Sequence, residues 1–206
     1  MQSECYIIGI AGGSGSGKTS FIHTLKDRFS DDDLCIISQD NYYHDRDNQS
    51  IDENGIINFD LPSSIIMDDF YHDVKQLAMG RAVSRKEYTF NNELKEASMI
   101  TLNPGKVLIA EGLFVFTEPR LKELYDLKIM VHATDDKKII RRIKRDRIER
   151  NYPLEDVLYR YENHVIPSYN QHILPHLEDA DIIVNNNHSF DKALDVMTTF
   201  IQSKIK

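Results

Sequence analysis

Cysteine is scarce in this chain. Cys5 and Cys35 are the only two among 206 residues; each sits beside or within an apolar run, and they form no CxxC pair. That pattern argues against a disulfide framework or a thiolate metal site and points to buried thiols in a reducing compartment. Positive charge is also short. With 25 Lys+Arg against 33 Asp+Glu and a formal net charge of -8, the chain lacks the basic balance of a general nucleic-acid binder. No apolar run approaches the roughly 20 residues that span a bilayer. The N-terminus has no basic segment followed by a signal-type apolar stretch, so the cytoplasm is the expected location, without nucleic-acid or membrane partners. Internal repeats and low-complexity segments are missing too. What remains is a 41% hydrophobic chain, enough for the core of one domain over 1–206.

Against that background, residues 7–20 read IIGIAGGSGSGKTS, an apolar strand entering Gly12-x-x-x-x-Gly17-Lys18-Thr19. This is a P-loop pattern with a strand before it and the helical FIHTLKDRF after it. Gly12, Gly13, Gly15 and Gly17, with Ser14 and Ser16 between them, let successive backbone N–H groups close on a triphosphate. Lys18 supplies a point charge near the β- and γ-phosphates, and the Thr19 hydroxyl can ligate Mg²⁺. The helix that follows directs its positive dipole end at the same phosphates. ATP and Mg²⁺ are the expected cofactors.

Five Ile/Val/Leu-rich runs, at 6–10, 34–38, 107–110, 127–133 and 181–184, show little alternation, as strands covered on both faces do. Helical patterns occupy 19–29, 64–79, 135–150, 154–177 (interrupted by Pro167 and Pro175) and 190–205. The alternation predicts an α/β fold with a doubly wound five-stranded parallel sheet and ligands at the carboxyl ends of its strands. Residues 81–103 break the rhythm and read as a β-hairpin insertion on the substrate side.

The remaining chemistry falls at strand ends. Asp40 follows the second strand, where a carboxylate can accept a proton from an attacking hydroxyl, hold Mg²⁺ through water, or simply cap a turn. Glu111 follows the third strand, and Mg²⁺ beside Thr19 is an obvious partner for an acid there. Residues 135–150 cluster Arg141, Arg142, Arg145, Arg147 and Arg150 in an otherwise acidic protein. This is either a solvated helix face or, over 135–152, a mobile arginine-rich lid that neutralises charge on a transferring phosphoryl group. His44, His72 and His132 show no ligand spacing. No NKxD-type guanine reader and no LSGGQ-like run is present, so a GTPase and a transporter ATPase are both disfavoured. Attack on a γ-phosphate by a small alcohol fits best.

Taken in order, GIAGGSGSGKT (9–19), SQDNYY (38–43), NFDLP (58–62), EYTF (87–90), EGLF (111–114), RRIKRD…ER (141–150) and ADIIV (180–184) resemble the uridine/cytidine kinase family across nearly the whole chain. The resemblance implies a P-loop kinase with a β-hairpin over a nucleoside, and ATP-dependent phosphorylation of a ribose 5′-hydroxyl. It implies Asp40 as catalytic base, with Lys18, Arg142 and Arg145 completing the catalytic set. Asp60 would grip the ribose hydroxyls, and Tyr43, Phe59, Tyr88 and Phe90 would line the nucleoside pocket. Arg142 would face the substrate 5′ end, and Arg145 and Arg150 the ATP phosphates. A homo-oligomer, commonly a tetramer, is also implied. The chain departs from the family pattern at Glu93, where a histidine is usual, at Asn151-Tyr152 in place of Gly-Arg, and at Arg160 in place of glutamine. Such base-side changes could redirect specificity. Nicotinamide riboside, pantothenate or a sugar phosphate stands as an alternative acceptor, and a non-catalytic ATP-binding regulator as the alternative class.

Overall fold

A computed structural model describes residues 5–89 and 97–206. Nine strands are described: β1 (Tyr6–Ala11), β2 (Leu34–Ser38), β3 (Ser50–Ile51), β4 (Ile57–Asn58), β5 (Val83–Lys86), β6 (Met99–Leu102), β7 (Val107–Gly112), β8 (Leu127–His132) and β9 (Ile182–Asn185). The helices are α1 (Lys18–Lys26), α2 (Met67–Ala78), α3 (Pro119–Lys122), α4 (Asp135–Ile148), α5 (Leu154–Arg160), α6 (Ile166–Ser168) and α7 (Asp191–Lys204). The main sheet has the order β2-β7-β1-β8-β9, and every pairing in it is parallel.

Side chains along a strand alternate between faces, and here both faces are covered. Ile7 joins Ile37, Phe70, Val74, Leu77 and Phe114 on one side; Ile8 and Ile10 join Phe21, Leu25, Ile109, Leu194 and Met197 on the other. The predicted doubly wound sheet is therefore present. β7 is buried throughout, Glu111 and Gly112 included, so it runs two residues beyond the apolar run read from sequence.

Two elements differ from the expectation. The helix expected from residue 64 starts at Met67, because the preceding chain is extended: Ile66 N–H donates to the Tyr42 carbonyl at 2.7 Å and Ile65 pairs with Tyr43. Pro167 does not interrupt the helical run from Leu154. A π-type turn over Tyr161–Val165 precedes it and a second over Tyr169–Ile173 follows it. The wider turn removes the need for the missing proline N–H and gives the ring room.

The predicted hairpin over 81–103 is represented by β5 and β6, antiparallel with Val83 opposite Leu102. Its base is pinned to α2. The Arg85 guanidinium lies 4.3 Å over the Tyr42 ring and donates to Asp73 at 2.8 Å and Asp69 at 3.0 Å, while Tyr42 OH donates to Asp73 at 2.8 Å. Cation–π contact and paired charge fix where the hairpin leaves the body of the protein.

Candidate active site

The carboxyl edges of β1, β7 and β2 bring the predicted residues together. Ser38 stands in register with Glu111, and Ala11 with Gly112. Beyond β1 the chain turns through Gly15 at φ +79° and Gly17 at φ +90°, a region that L side chains resist. Space forbids a side chain as well. A Cβ on Gly15 would lie 2.3 Å from the Lys138 carbonyl oxygen, and one on Gly17 2.1 Å from Asn186 Nδ2. Asn186 Nδ2 donates to the Ser16 carbonyl at 2.8 Å, and Arg141 donates to the Asn186 carbonyl at 2.8 Å and the Ser16 carbonyl at 3.4 Å. The first half of α4 thus rests on the phosphate loop. Arg141 serves this brace. Ser16 Oγ is buried without a partner, and together with the glycine turns it suits the loop to a polyanionic phosphate chain.

Lys18, at the start of α1, is buried and donates to Glu111 Oε2. Burial alone would lower the Lys18 pKa, but Glu111 and then Asp40 outweigh it and raise it, so Lys18 is a firm cation. Asp40 sits in the turn Gln39–Tyr42, where its N–H donates to Ser38 Oγ at 3.2 Å. Gln39 Oε1 accepts from Phe114 N–H at 2.9 Å and fills the space a Cβ on Gly112 would need, tying this turn to the end of β7. Burial, and then the charge of Glu111, push the Asp40 pKa upward against the pull of Lys18, Arg150 and Arg145. A carboxylate with a raised pKa at a phosphate loop has the character of a general base. Thr19 follows Lys18 at the start of α1 and is exposed. Thr19, Asp40 and Glu111 are hard oxygen donors of the kind Mg²⁺ takes; among the described residues no cluster of three or more metal-ligating acids, histidines or cysteines occurs.

On the other side stand the acceptor candidates. Tyr43 stacks on Tyr88 with ring centroids 5.1 Å apart and meets Phe59 edge-on at 6.3 Å. Burial, then Asp40 and Asp60, raise the Tyr43 phenol well above its usual pKa, so it stays neutral. Tyr88 N–H donates to Asn41 Oδ1 at 3.0 Å. Asp60 Oδ1 lies 3.6 Å from Arg142 Nη1, and the same nitrogen donates to Ser14 Oγ at 2.9 Å. Arg142 therefore touches both Ser14 of the phosphate loop and Asp60. Phe90 and Glu93 lie outside the described residues.

The structure also brings in residues that sequence reasoning passed over. Asp146, only 2% exposed, faces three arginines: Arg145 Nε at 2.9 Å, Arg142 Nε at 3.2 Å and Arg150 Nη1 at 3.4 Å. The spacing of four between Arg142 and Asp146 was the available signal, since such residues share a helix face; Arg150 lies past the end of α4. Asp52, between β3 and β4, accepts from Tyr159 OH at 2.8 Å and pairs with the buried His164 Nε2 at 2.7 Å. Arg160 donates to the Ile57 carbonyl at 2.8 Å. Together these bonds fasten the strand pair leading into Phe59 and Asp60 to α5. At the end of α4, Asn151 takes φ +54°, a left-handed turn asparagine tolerates, and Tyr152 is 40% exposed. A cavity of about 250 Å³ lies beside Ser14, lined by Lys138, Ile139, Tyr161, Val165 and Tyr169; Asp40 and Glu111 are not part of its wall.

A phosphate loop, a buried lysine, a base-like aspartate and converging arginines on a parallel α/β sheet define a P-loop kinase, an enzyme that moves a phosphoryl group to an alcohol. Comparison with known proteins narrows the class. The family model described as Phosphoribulokinase / Uridine kinase family matches residues 7–192, and the chain belongs to that family. It is 40% identical over 205 residues to a uridine kinase of Lactobacillus johnsonii, covering 98% of this chain and 97% of that one. A uridine kinase of Streptococcus gordonii is 36% identical over 206 residues, covering 100% and 98%. The fold is similar to a possible uridine kinase from Bacillus stearothermophilus (TM-score 0.60, 15% identity, 89% of this chain and 90% of that one). It also resembles phosphoribulokinase from Rhodobacter spheroides (TM-score 0.62, 17% identity, 89% and 71%).

Proposed function

We propose that the protein phosphorylates the 5′-hydroxyl of a ribonucleoside, with uridine and cytidine as the leading acceptors. The observation that carries this reading is the position of Arg142, in contact with Ser14 of the phosphate loop and beside Asp60 on the acceptor side. Relatives named uridine kinase over nearly the whole chain support it.

ATP would be held by Gly12–Thr19 and would supply the phosphoryl group, and Mg²⁺ would be held through Thr19, Glu111 and Asp40 and would supply neutralising charge. The chain's own groups do the rest. Asp40 accepts the proton of the attacking hydroxyl, and its raised pKa favours that transfer. Asp60 accepts hydrogen bonds from vicinal ribose hydroxyls. Tyr43, Phe59 and Tyr88 offer rigid faces to a planar base. Lys18, Arg145 and Arg150 gather positive charge near Asp40, where it can stabilise charge on the oxygens of a transferring phosphoryl group. Of the departures from the family pattern, Tyr152 is 40% exposed and Arg160 is engaged with the Ile57 carbonyl.

A coupled assay of ADP release over uridine, cytidine, other ribosides and pantothenate tests the proposal. Stimulation by a pyrimidine riboside above all others is expected. Stimulation by pantothenate or nicotinamide riboside alone reassigns the acceptor. Absence of stimulation by any alcohol, with ATP still bound, leaves a non-catalytic ATP binder.

A further inference from the structure

Three arginines that belong near the phosphates share one buried anion, and nothing in the reaction itself uses that anion. Asp146 lies within 3.4 Å of nitrogens of Arg142, Arg145 and Arg150. Its carboxylate is sealed from water, whereas Arg145 and Arg150 stay about one-third exposed. Crowding among the cations is real: burial, and then Arg145 and Arg142, lower the Arg150 pKa, and Asp146 opposes them. Arg142 Nε is close to Asp146 yet misaligned for a hydrogen bond, leaving a buried donor unspent.

We propose that Asp146 is a positioning residue for phosphoryl transfer. It cancels part of the repulsion among Arg142, Arg145 and Arg150 and keeps their side chains converged before a triphosphate arrives. One carboxylate against three guanidiniums leaves the set net cationic, so the cluster still attracts phosphate. Without Asp146 the arginines separate, and each must be drawn back when the nucleotide binds. Asp146 touches no reacting atom, so its effect passes through the arginines. This inference rests on the kinase reading given above.

The test compares wild type, Asp146→Asn and Asp146→Glu, measuring ATP affinity by calorimetry and kcat and KM for the acceptor. Asp146→Asn is expected to cost about 100-fold in kcat, the size of a roughly 1 Å misplacement of catalytic groups. It should weaken ATP binding severalfold and raise the KM for uridine by less, through Arg142 alone. Asp146→Glu should recover part of the loss. Unchanged kcat and ATP affinity in Asp146→Asn overturn the proposal. So does tighter ATP binding, which would make Asp146 a competitor for the arginines. Should Asp146→Asn fail to fold, Asp146→Glu decides alone: an ATP affinity weakened more than the uridine KM is raised supports the proposal, and wild-type values, tighter ATP binding or equal losses in both overturn it. If wild type binds ATP but phosphorylates no acceptor, the kinase reading fails, and the ATP affinities of the variants still decide the role of Asp146.

Discussion

Replacing Asp40 with asparagine should move activity and stability in opposite directions. The substitution keeps the shape of the side chain and removes its ability to take a proton. A positioned general base contributes roughly 10²–10⁴-fold to rate, or about 3–5 kcal/mol at 1.36 kcal/mol per decade. Asp40→Asn should therefore lower kcat by at least 100-fold and abolish the acidic limb of the pH–rate profile. Stability goes the other way. Burial, and then Glu111, raise the folded-state pKa of Asp40 even with Lys18, Arg150 and Arg145 nearby. A carboxyl group whose pKa is raised on folding makes the folded state bind more protons than the unfolded one. It is neutral and without penalty at low pH, and it destabilises the fold once pH has risen through the unfolded value of about 3.9 and then the raised folded value. The variant should gain stability at pH 7, and the gain should vanish near pH 3, measured by thermal unfolding across pH. Each kcal/mol recovered raises the Tm by roughly 2–4 °C in a domain of this size. Reduced activity with an equal or lower Tm at pH 7 would refute the electrostatic reasoning. A kcat within threefold of wild type would refute the role as base.

Three further substitutions probe the frame around that group. Gly17→Ala forces a side chain into φ +90° and against Asn186 Nδ2, so thermal unfolding should show a loss of at least 1–2 kcal/mol and calorimetry a loss of ATP binding. Asp52→Asn tests the clamp on α5. Burial raises the Asp52 pKa, but hydrogen bonds from Ile56 N–H, His164, Tyr159 and Asn54 N–H overcome it and hold the group below the usual carboxylate range. A depressed folded pKa stabilises the fold above the unfolded value and ceases to do so as pH falls through the folded one, so the variant's deficit in urea midpoint should be present at pH 7 and shrink toward pH 2. Arg160→Gln removes the bond to the Ile57 carbonyl, and the acceptor KM should rise severalfold while the ATP KM holds.

Much of this architecture was legible from residues alone, for identifiable reasons. Parallel strands buried on both faces announce themselves as unbroken Ile/Val/Leu runs, and all five appear at the predicted places. The phosphate loop needs glycines at left-handed turns, and such positions carry a sharp signature. The strand pair β3–β4 gave no signal because each strand has only two residues, none of them buried. Pro167 suggested a break because sequence cannot reveal the π-type turns that absorb it. Asp146 was hidden inside a charge run, where composition is the same for a solvated face and for a convergent cluster. Its role depends on side chains 142, 145 and 150 turning toward one atom pair, and only three-dimensional packing sets that. Asp52 and His164 lie more than a hundred residues apart, so their pairing left no local trace.

The seating of α4 on the phosphate loop has a thermodynamic consequence. Lys138 lies against Gly15 and Arg141 donates to the Ser16 and Asn186 carbonyls, and the next residue, Arg142, reaches toward Asp60. In the proposed reaction both substrates would therefore meet the same helix. By reciprocity, the factor by which the acceptor changes the dissociation constant of a nucleotide equals the factor by which the nucleotide changes that of the acceptor. Isotherms recorded in either order, with a non-transferable ATP analogue, must close the same thermodynamic box, and its coupling energy measures how stiffly α4 joins the two sites.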